Sequence, residues 1–181
     1  MTKEFHGRKL DIKAFAEEGA ELSGEDAVGQ HQRLLAETAG RGGELPVRWS
    51  ARGELRNPHH VQPEVWLHLQ ARTTLPMTCQ RCLAPVEVPV QVERSFRFVA
   101  DEDTAAAQDD GSDEDLLAMN RAFDLVELVE DELLMDLPVA PRHELCPDPM
   151  PMAAVDPQFE AAAGRRQNPF AQLAKLKQGK G

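Results

Sequence analysis

Three successive runs of alternating residues constrain the fold of this chain most strongly. In the first, Leu45, Val47, Trp49 and Ala51 share one side, while Pro46, Arg48, Ser50 and Arg52 share the other. In the second, Val65, Leu67, Leu69, Ala71 and Leu75 oppose His68, Gln70, Arg72 and Thr74, and in the third Val86, Val88, Val90, Val92, Phe96 and Phe98 fall on one side. Side chains alternate across an extended backbone, so a period of two marks a half-buried strand. Three such strands in series predict an antiparallel meander with one apolar face. Residues 53–63 form the first connection. Pro89 has no N–H for a ladder, so the third strand is expected to have an edge or a bulge there.

The apolar face needs a cover, and the flanking sequence offers helices rather than further strands. In DIKAFAEEG, Asp11 caps a turn, Ile12, Phe15 and Ala16 fall on one face, and Gly19 supplies a stop. GEDAVGQHQRLLAETAG reads as a second short helix through Ala27, Val28, Leu34 and Leu35, weakened at Gly29 and ended by Gly40. Residues 101–115 carry eight carboxylates with no basic or large apolar residue, a composition read as an acidic surface loop. The Asp-x-Asp-x-Asp-Gly order of a calcium loop is missing from it. LLAMNRAF adds a short strand.

The clearest helix is DLVELVEDELLMDLP. Asp124 is its N-cap with Glu127 at the third position, Leu125, Leu128, Val129, Glu132 and Leu133 line one side, and Pro138 ends it. Its acidic row, Glu127, Glu130 and Asp131, is expected to face solvent or a partner. Five prolines in residues 138–151 make that stretch irregular or extended. Near the end, Asn168, Pro169, Phe170, Leu173 and Leu176 spell a short amphipathic helix that must dock on something to be stable. The expected architecture is α+β: an antiparallel meander, open or barrel-like, with a few packed helices and an extended C-terminal tail. The expected division is a single domain over 1–163 and a basic tail over 164–181.

Charge restricts the function classes. The chain carries 31 acidic and 20 basic residues, a net charge of −11. Residues 164–181 hold Arg165, Arg166, Lys175, Lys177 and Lys180 with no acid, leaving 15 basic against 31 acidic side chains elsewhere, a balance of −16. A body of that sign is unsuited to gripping phosphates over a broad surface. It serves simple solubility or suits a basic partner, such as a ribosomal or assembly protein, while the tail residues Phe170, Leu173, Lys175, Leu176 and Lys177 are candidate contacts to protein or RNA. The N-terminal residues lack the apolar stretch of a secretory signal, and no apolar run reaches the roughly 18 residues of a membrane span, so a cytoplasmic location is expected.

Three cysteines cannot pair into a full disulfide set, so reduced thiols or metal thiolates are expected. Cys79-Gln80-Arg81-Cys82 falls between the second and third runs, where a two-residue gap lets both sulfurs point at one ion. His143-Glu144-Leu145-Cys146 repeats the gap after the strong helix, and together they make a Cys₃His set that would enclose zinc in a closed, structural tetrahedron. The alternative is a group of reduced, packed side chains tying two loops together. Thioredoxin-like redox context is missing around the CxxC. GxGxxG, P-loop, HExxH and GxSxG templates are all missing from the sequence, His59 and His60 sit in a connection, and His6, His31 and His68 show no partner at motif spacing. No catalytic residue is specified.

CQRC at 79–82, DLVELVEDELLMDLPVAPRHELC at 124–146 and NPFAQLAKLK at 168–177 together resemble the bacterial YceD family, in order and across roughly residues 65–177. The resemblance implies a role in the synthesis, processing or stability of 23S ribosomal RNA, without a known catalytic residue. Relatives with further cysteines after the second pair differ from this chain, where Cys146 is followed by PDPMP. Two other readings are a zinc-stapled adaptor unrelated to ribosomal RNA and an enzyme that processes the RNA precursor. The sequence leaves the oligomeric state open.

Overall fold

A computed structural model of the chain describes residues 4–109, 111–112 and 114–147. Compactness divides the chain into Met1–Leu145 and Cys146–Gly181, and only Cys146 and Pro147 of the second unit are described. The basic tail, its Phe170–Lys177 helix and the boundary at 163/164 therefore lie outside the described residues.

The three alternating runs form strands β2 (Pro46–Arg56), β3 (Glu64–Thr78) and β4 (Pro85–Val99). They pair antiparallel, with Trp49 opposite Ala71 and Ala71 opposite Val92. Their apolar sets are buried as the period requires, from Val47 and Trp49 through Leu67, Leu69 and Leu75 to Val88, Val90, Phe96 and Phe98. Pro89 lies opposite Thr74, and on its other flank β4 has no paired strand at that position among the described residues, so the missing N–H breaks no ladder there.

The sheet has five strands in the order β1-β2-β3-β4-β5 and is not closed, which corrects the barrel-like alternative. Strand β5 (Asp115–Ala118) runs parallel to β4, so the sheet is mixed rather than a pure meander. The crossover holds helix α3 (Glu102–Asp109), where the sequence predicted an acidic loop. Asp101 accepts a hydrogen bond from Thr104 N at 2.7 Å, Glu102 and Asp103 occupy the first turn, and Ala105 is buried. Acids at that end complement the helix dipole, and the alanines that follow are the best helix formers.

A second correction concerns residues 24–27, read as the start of the second helix. They belong to edge strand β1 (Glu21–Ala27), antiparallel to β2. Its positions on the Trp49 side are Leu22, Gly24 and Asp26, too weakly apolar to print an alternating pattern. Gly24 sits under the Trp49 indole, where a Cβ would lie 2.5 Å from the ring, and Asp26 accepts from Trp49 Nε1 at 2.7 Å. The helical remainder is a 3₁₀ turn, Val28–Gln30, followed by α2 (Gln32–Glu37).

Helix α1 (Ile12–Glu17) is capped by Asp11 as expected and presses Ile12, Phe15 and Ala16 into the core. It lies directly on β2 at Gly53, where an added Cβ would meet Phe15 O at 2.7 Å. Helix α4 (Leu125–Met135) starts on Asp124, whose carboxylate accepts from Val126 N and Glu127 N, and it ends three residues before Pro138. Leu125, Val126, Leu128, Val129 and Leu133 are buried against the sheet's apolar side. Glu132, on the same side, is also buried and pairs with Arg94 at 3.4 Å; burial holds its carboxyl above the usual range despite that guanidinium.

Candidate metal centre

The hairpin joining β3 to β4 is six residues long, and its first residue, Cys79, continues the buried side of β3. The turn is closed by Cys79 N donating to Ala84 O and Leu83 N donating to Cys79 O, both at 2.9 Å. Leu83 is held at φ +62° to complete it, a conformation uncommon for a bulky side chain. Such a turn swings Cys82 back over Cys79.

The Pro-rich segment after α4 comes alongside this knuckle and is fastened to it by backbone groups. Gln80 N donates to Pro141 O at 2.8 Å, and the Arg81 guanidinium donates to His143 O at 2.9 Å. Pro141 is buried while its neighbours are not. His143 thereby reaches the sulfurs: its Nδ1 lies 3.4 Å from Cys82 Sγ.

The candidate ligand atoms of Cys79, Cys82, His143 and Cys146 all lie within 4.8 Å of one another. In a zinc tetrahedron with Zn–S of about 2.3 Å and Zn–N of about 2.0 Å, a sulfur and a nitrogen ligand stand roughly 3.5 Å apart. The Cys82–His143 separation fits that edge. The ring is also in the correct tautomer. His143 Nε2 lies 2.9 Å from Pro85 O, a carbonyl that can only accept, so Nε2 carries the proton and Nδ1 presents its lone pair.

Thiolate character is built into the turn. Burial opposes ionisation of Cys79, yet N–H groups of Cys82, His143 and Arg81, together with the Cys82 side chain, outweigh it and bring the Cys79 thiol down to about 5. At neutral pH Cys79 is a thiolate, the form that binds metal. The donor set therefore fits a borderline-soft divalent ion, and four protein ligands would leave no position for a substrate. A metal ion held there would supply cross-linking of the hairpin to the segment after α4.

The other candidate residues are placed differently. Glu127 is exposed. Glu130 is buried, which corrects the expectation that the acidic row faces solvent as a unit. Its carboxylate accepts from Arg33 N at 2.7 Å and Leu34 N at 3.2 Å, and pairs with the Arg33 side chain at 3.1 Å. It thus caps α2, whose own N-cap residue, His31, makes no side-chain cap. Asp131 pairs with the same guanidinium. Phe170, Leu173, Lys175, Leu176 and Lys177 lie outside the described residues.

One polar array escaped the sequence reading. His68 lies 2.8 Å from Ser95 Oγ through Nδ1 and 2.6 Å from Glu54 through Nε2, and Arg56 and His68 hold the Glu54 carboxyl down at about 2. The three residues come from β4, β3 and β2 on the exposed side of the sheet, with sequence spacings that no motif contains. Only the strand register brings them together: His68 opposes Ser95 directly, and Glu54 opposes Trp66.

Among the described residues, no helix is long and apolar enough to cross a membrane. No solved structure matches this chain. A protein-family model described as "Large ribosomal RNA subunit accumulation protein YceD" matches residues 67–177, which takes in most of β3, the knuckle, α4 and both halves of the candidate metal centre.

Proposed function

The chain belongs to the YceD family, and from that premise we propose that it is a non-enzymatic, cytoplasmic ribosome-biogenesis factor needed for large-subunit ribosomal RNA to accumulate. It acts by holding a basic ribosomal or assembly protein against its acidic body. The observation that carries the role is the family match over residues 67–177. The choice of a basic protein is supported by the net charge of −11 and by the acidic surplus outside residues 164–181. Opposite fields speed encounter and reject wrong partners.

In this reading Cys79, Cys82, His143 and Cys146 hold a structural zinc ion. The ion keeps the hairpin and the segment after α4 in fixed relation and carries no chemistry on RNA. The tail residues Phe170, Leu173, Lys175, Leu176 and Lys177 contact RNA or protein, so RNA is reached indirectly or through the tail.

Capture from cells with the full chain and with a chain ending at residue 163 tests the mechanism. The full chain is expected to recover basic ribosomal proteins, with recovery falling as salt rises. Recovery of RNA alone after nuclease-free washing, without any basic protein, would reject it. Incubation of the purified chain with precursor RNA is expected to leave the RNA intact, and cleavage or modification would establish the enzyme alternative. The Cys₃His cluster also favours a second reading, a zinc-stapled adaptor unrelated to ribosomal RNA. That reading predicts bound zinc with unchanged ribosomal RNA after depletion.

A further inference from the structure

Helices α1 and α4 cover one side of the sheet; on the other side α3 meets Arg97 near the β5 edge, and the polar residues along β1 to β3 and the rest of β4 face solvent. Register places Glu25, Arg48, Arg72 and Gln91 in one row across these four strands, because Glu25 opposes Arg48, Arg48 opposes Arg72, and Arg72 opposes Gln91. Arg48 and Arg72 are like charges directly across from each other, an arrangement that destabilises a sheet. Arg48 is relieved by Glu25, whose Oε2 lies 2.6 Å from its Nε. Arg72 is exposed and has no hydrogen-bond or ion-pair partner among the described residues.

The surface around the two guanidiniums is unlike the rest of this acidic body. Two adjoining hollows meet on Arg48, Arg72 and Gln91; one extends to Ser50 and Gln70, the other to Thr74, and no carboxylate lines either. The next hollow along the sheet, around His68 and Ser95, is lined by Glu21 and Glu93 and is not part of the row. An uncompensated arginine beside a second arginine, flanked by the Gln70 and Gln91 amides and the Ser50 and Thr74 hydroxyls, has the donors that a phosphodiester group accepts. Guanidiniums on neighbouring strands, about 5 Å apart in the pairing direction, can take the two free oxygens of one phosphate or adjacent phosphates.

We infer that the exposed face of the sheet binds the sugar-phosphate backbone of single-stranded RNA along the Arg48–Arg72–Gln91 row. The occupant follows from charge complementarity, and the choice of RNA rests on the family reading above. A row two phosphates long adds a direct contact to the indirect or tail-borne route to RNA proposed above, and it is compatible with a net charge unsuited to broad phosphate binding. The RNA would pass over one face of the sheet while the acidic remainder faces a cationic protein.

Binding of a fluorescent single-stranded oligouridylate to the full chain, titrated over salt, tests the site. Each phosphate contact on a single strand contributes about 0.7 to the slope of log affinity against log salt. Arg72→Gln is therefore expected to lower the slope by about 0.7 and affinity several-fold, and Arg48→Gln/Arg72→Gln to lower the slope by about 1.4. Arg72→Lys should keep the slope, and Arg121→Gln, an exposed arginine off the row, should change nothing. Unchanged affinity and slope in the double variant would overturn the inference and assign any binding to the basic C-terminal residues. Equal competition by polyglutamate of the same length would also overturn it, marking the row as a site for acidic peptide. These readouts use purified protein and bare RNA, so their failure leaves the role in ribosomal RNA accumulation to its own test in cells.

Discussion

Replacing Glu130 by alanine should unfasten a helix whose sequence lies 97 residues away. Helix α2 starts without a side-chain cap of its own, and its first N–H groups, from Arg33 and Leu34, end on Glu130 Oε1. Loss of a helix cap costs about 1–2 kcal/mol. Here the Leu34 N–H is buried and would be left without an acceptor, which adds about 1–3 kcal/mol. The Arg33 ion pair adds little, because that guanidinium is half exposed. The sum is about 3 kcal/mol, or a fall of roughly 6–12 °C in Tm for a chain of this size. Glu130→Gln keeps an acceptor and should cost about half as much. Burial opposes ionisation of Glu130, but the N–H groups of Arg33 and Leu34 win and hold its carboxyl below the usual range. A depressed carboxyl stabilises the fold above its unfolded pKa and loses that contribution as pH falls through the folded value. The gap between native protein and Glu130→Ala in urea titrations should therefore be full at pH 7 and shrink below about pH 4.5. A cost under about 0.5 kcal/mol at pH 7, or a gap independent of pH, would refute the long-range cap.

Other outcomes follow from the same packing. His31 is buried, its Nε2 has no hydrogen-bond partner, and burial outweighs Glu130 and Asp26 to hold its pKa below 6.5. Stability should thus decline as pH falls below 6.5, and thermal melts of His31→Leu should show a flatter decline between pH 7 and 5. Gly53→Ala would place a methyl group 2.7 Å from Phe15 O and force α1 off the sheet, a loss of about 1–3 kcal/mol in chemical denaturation. Zinc analysis of purified protein should find about one ion per chain, with Cys82→Ser substoichiometric and a chelator lowering the Tm of the native chain. Zinc-free native protein whose melting is indifferent to chelator would show that the four side chains only pack.

Much of this architecture was legible because β2, β3 and β4 present apolar residues at every second position over long spans, and a period of two has one physical reading. The α4 helix was equally plain, with Asp124 as cap and a leucine-valine stripe. Strand β1 was hidden because its side facing Trp49 is built from Leu22, Gly24 and Asp26, which the indole complements in shape and hydrogen bonding; that complementarity exists only after pairing. Helix α3 was hidden by its charge, since counting carboxylates overlooked their placement at the end of the helix where the dipole favours them. The candidate metal-ligand set was readable from two gaps of two residues. The backbone clasp at Pro141, Pro85 and Arg81 was not, because those bonds depend on the path of the segment after α4. The Arg48–Arg72 pair and the Glu54–His68–Ser95 array were invisible for the same reason: register, not spacing, makes them neighbours.

The central claim is that this chain sustains the RNA of the large subunit. It is tested most directly by depleting the protein in its native cells and measuring the ratio of large-subunit to small-subunit ribosomal RNA, with the wild-type chain restored as control. The account predicts a selective fall in the large-subunit RNA that the restored chain reverses. An unchanged ratio in cells shown to lack the protein would contradict it.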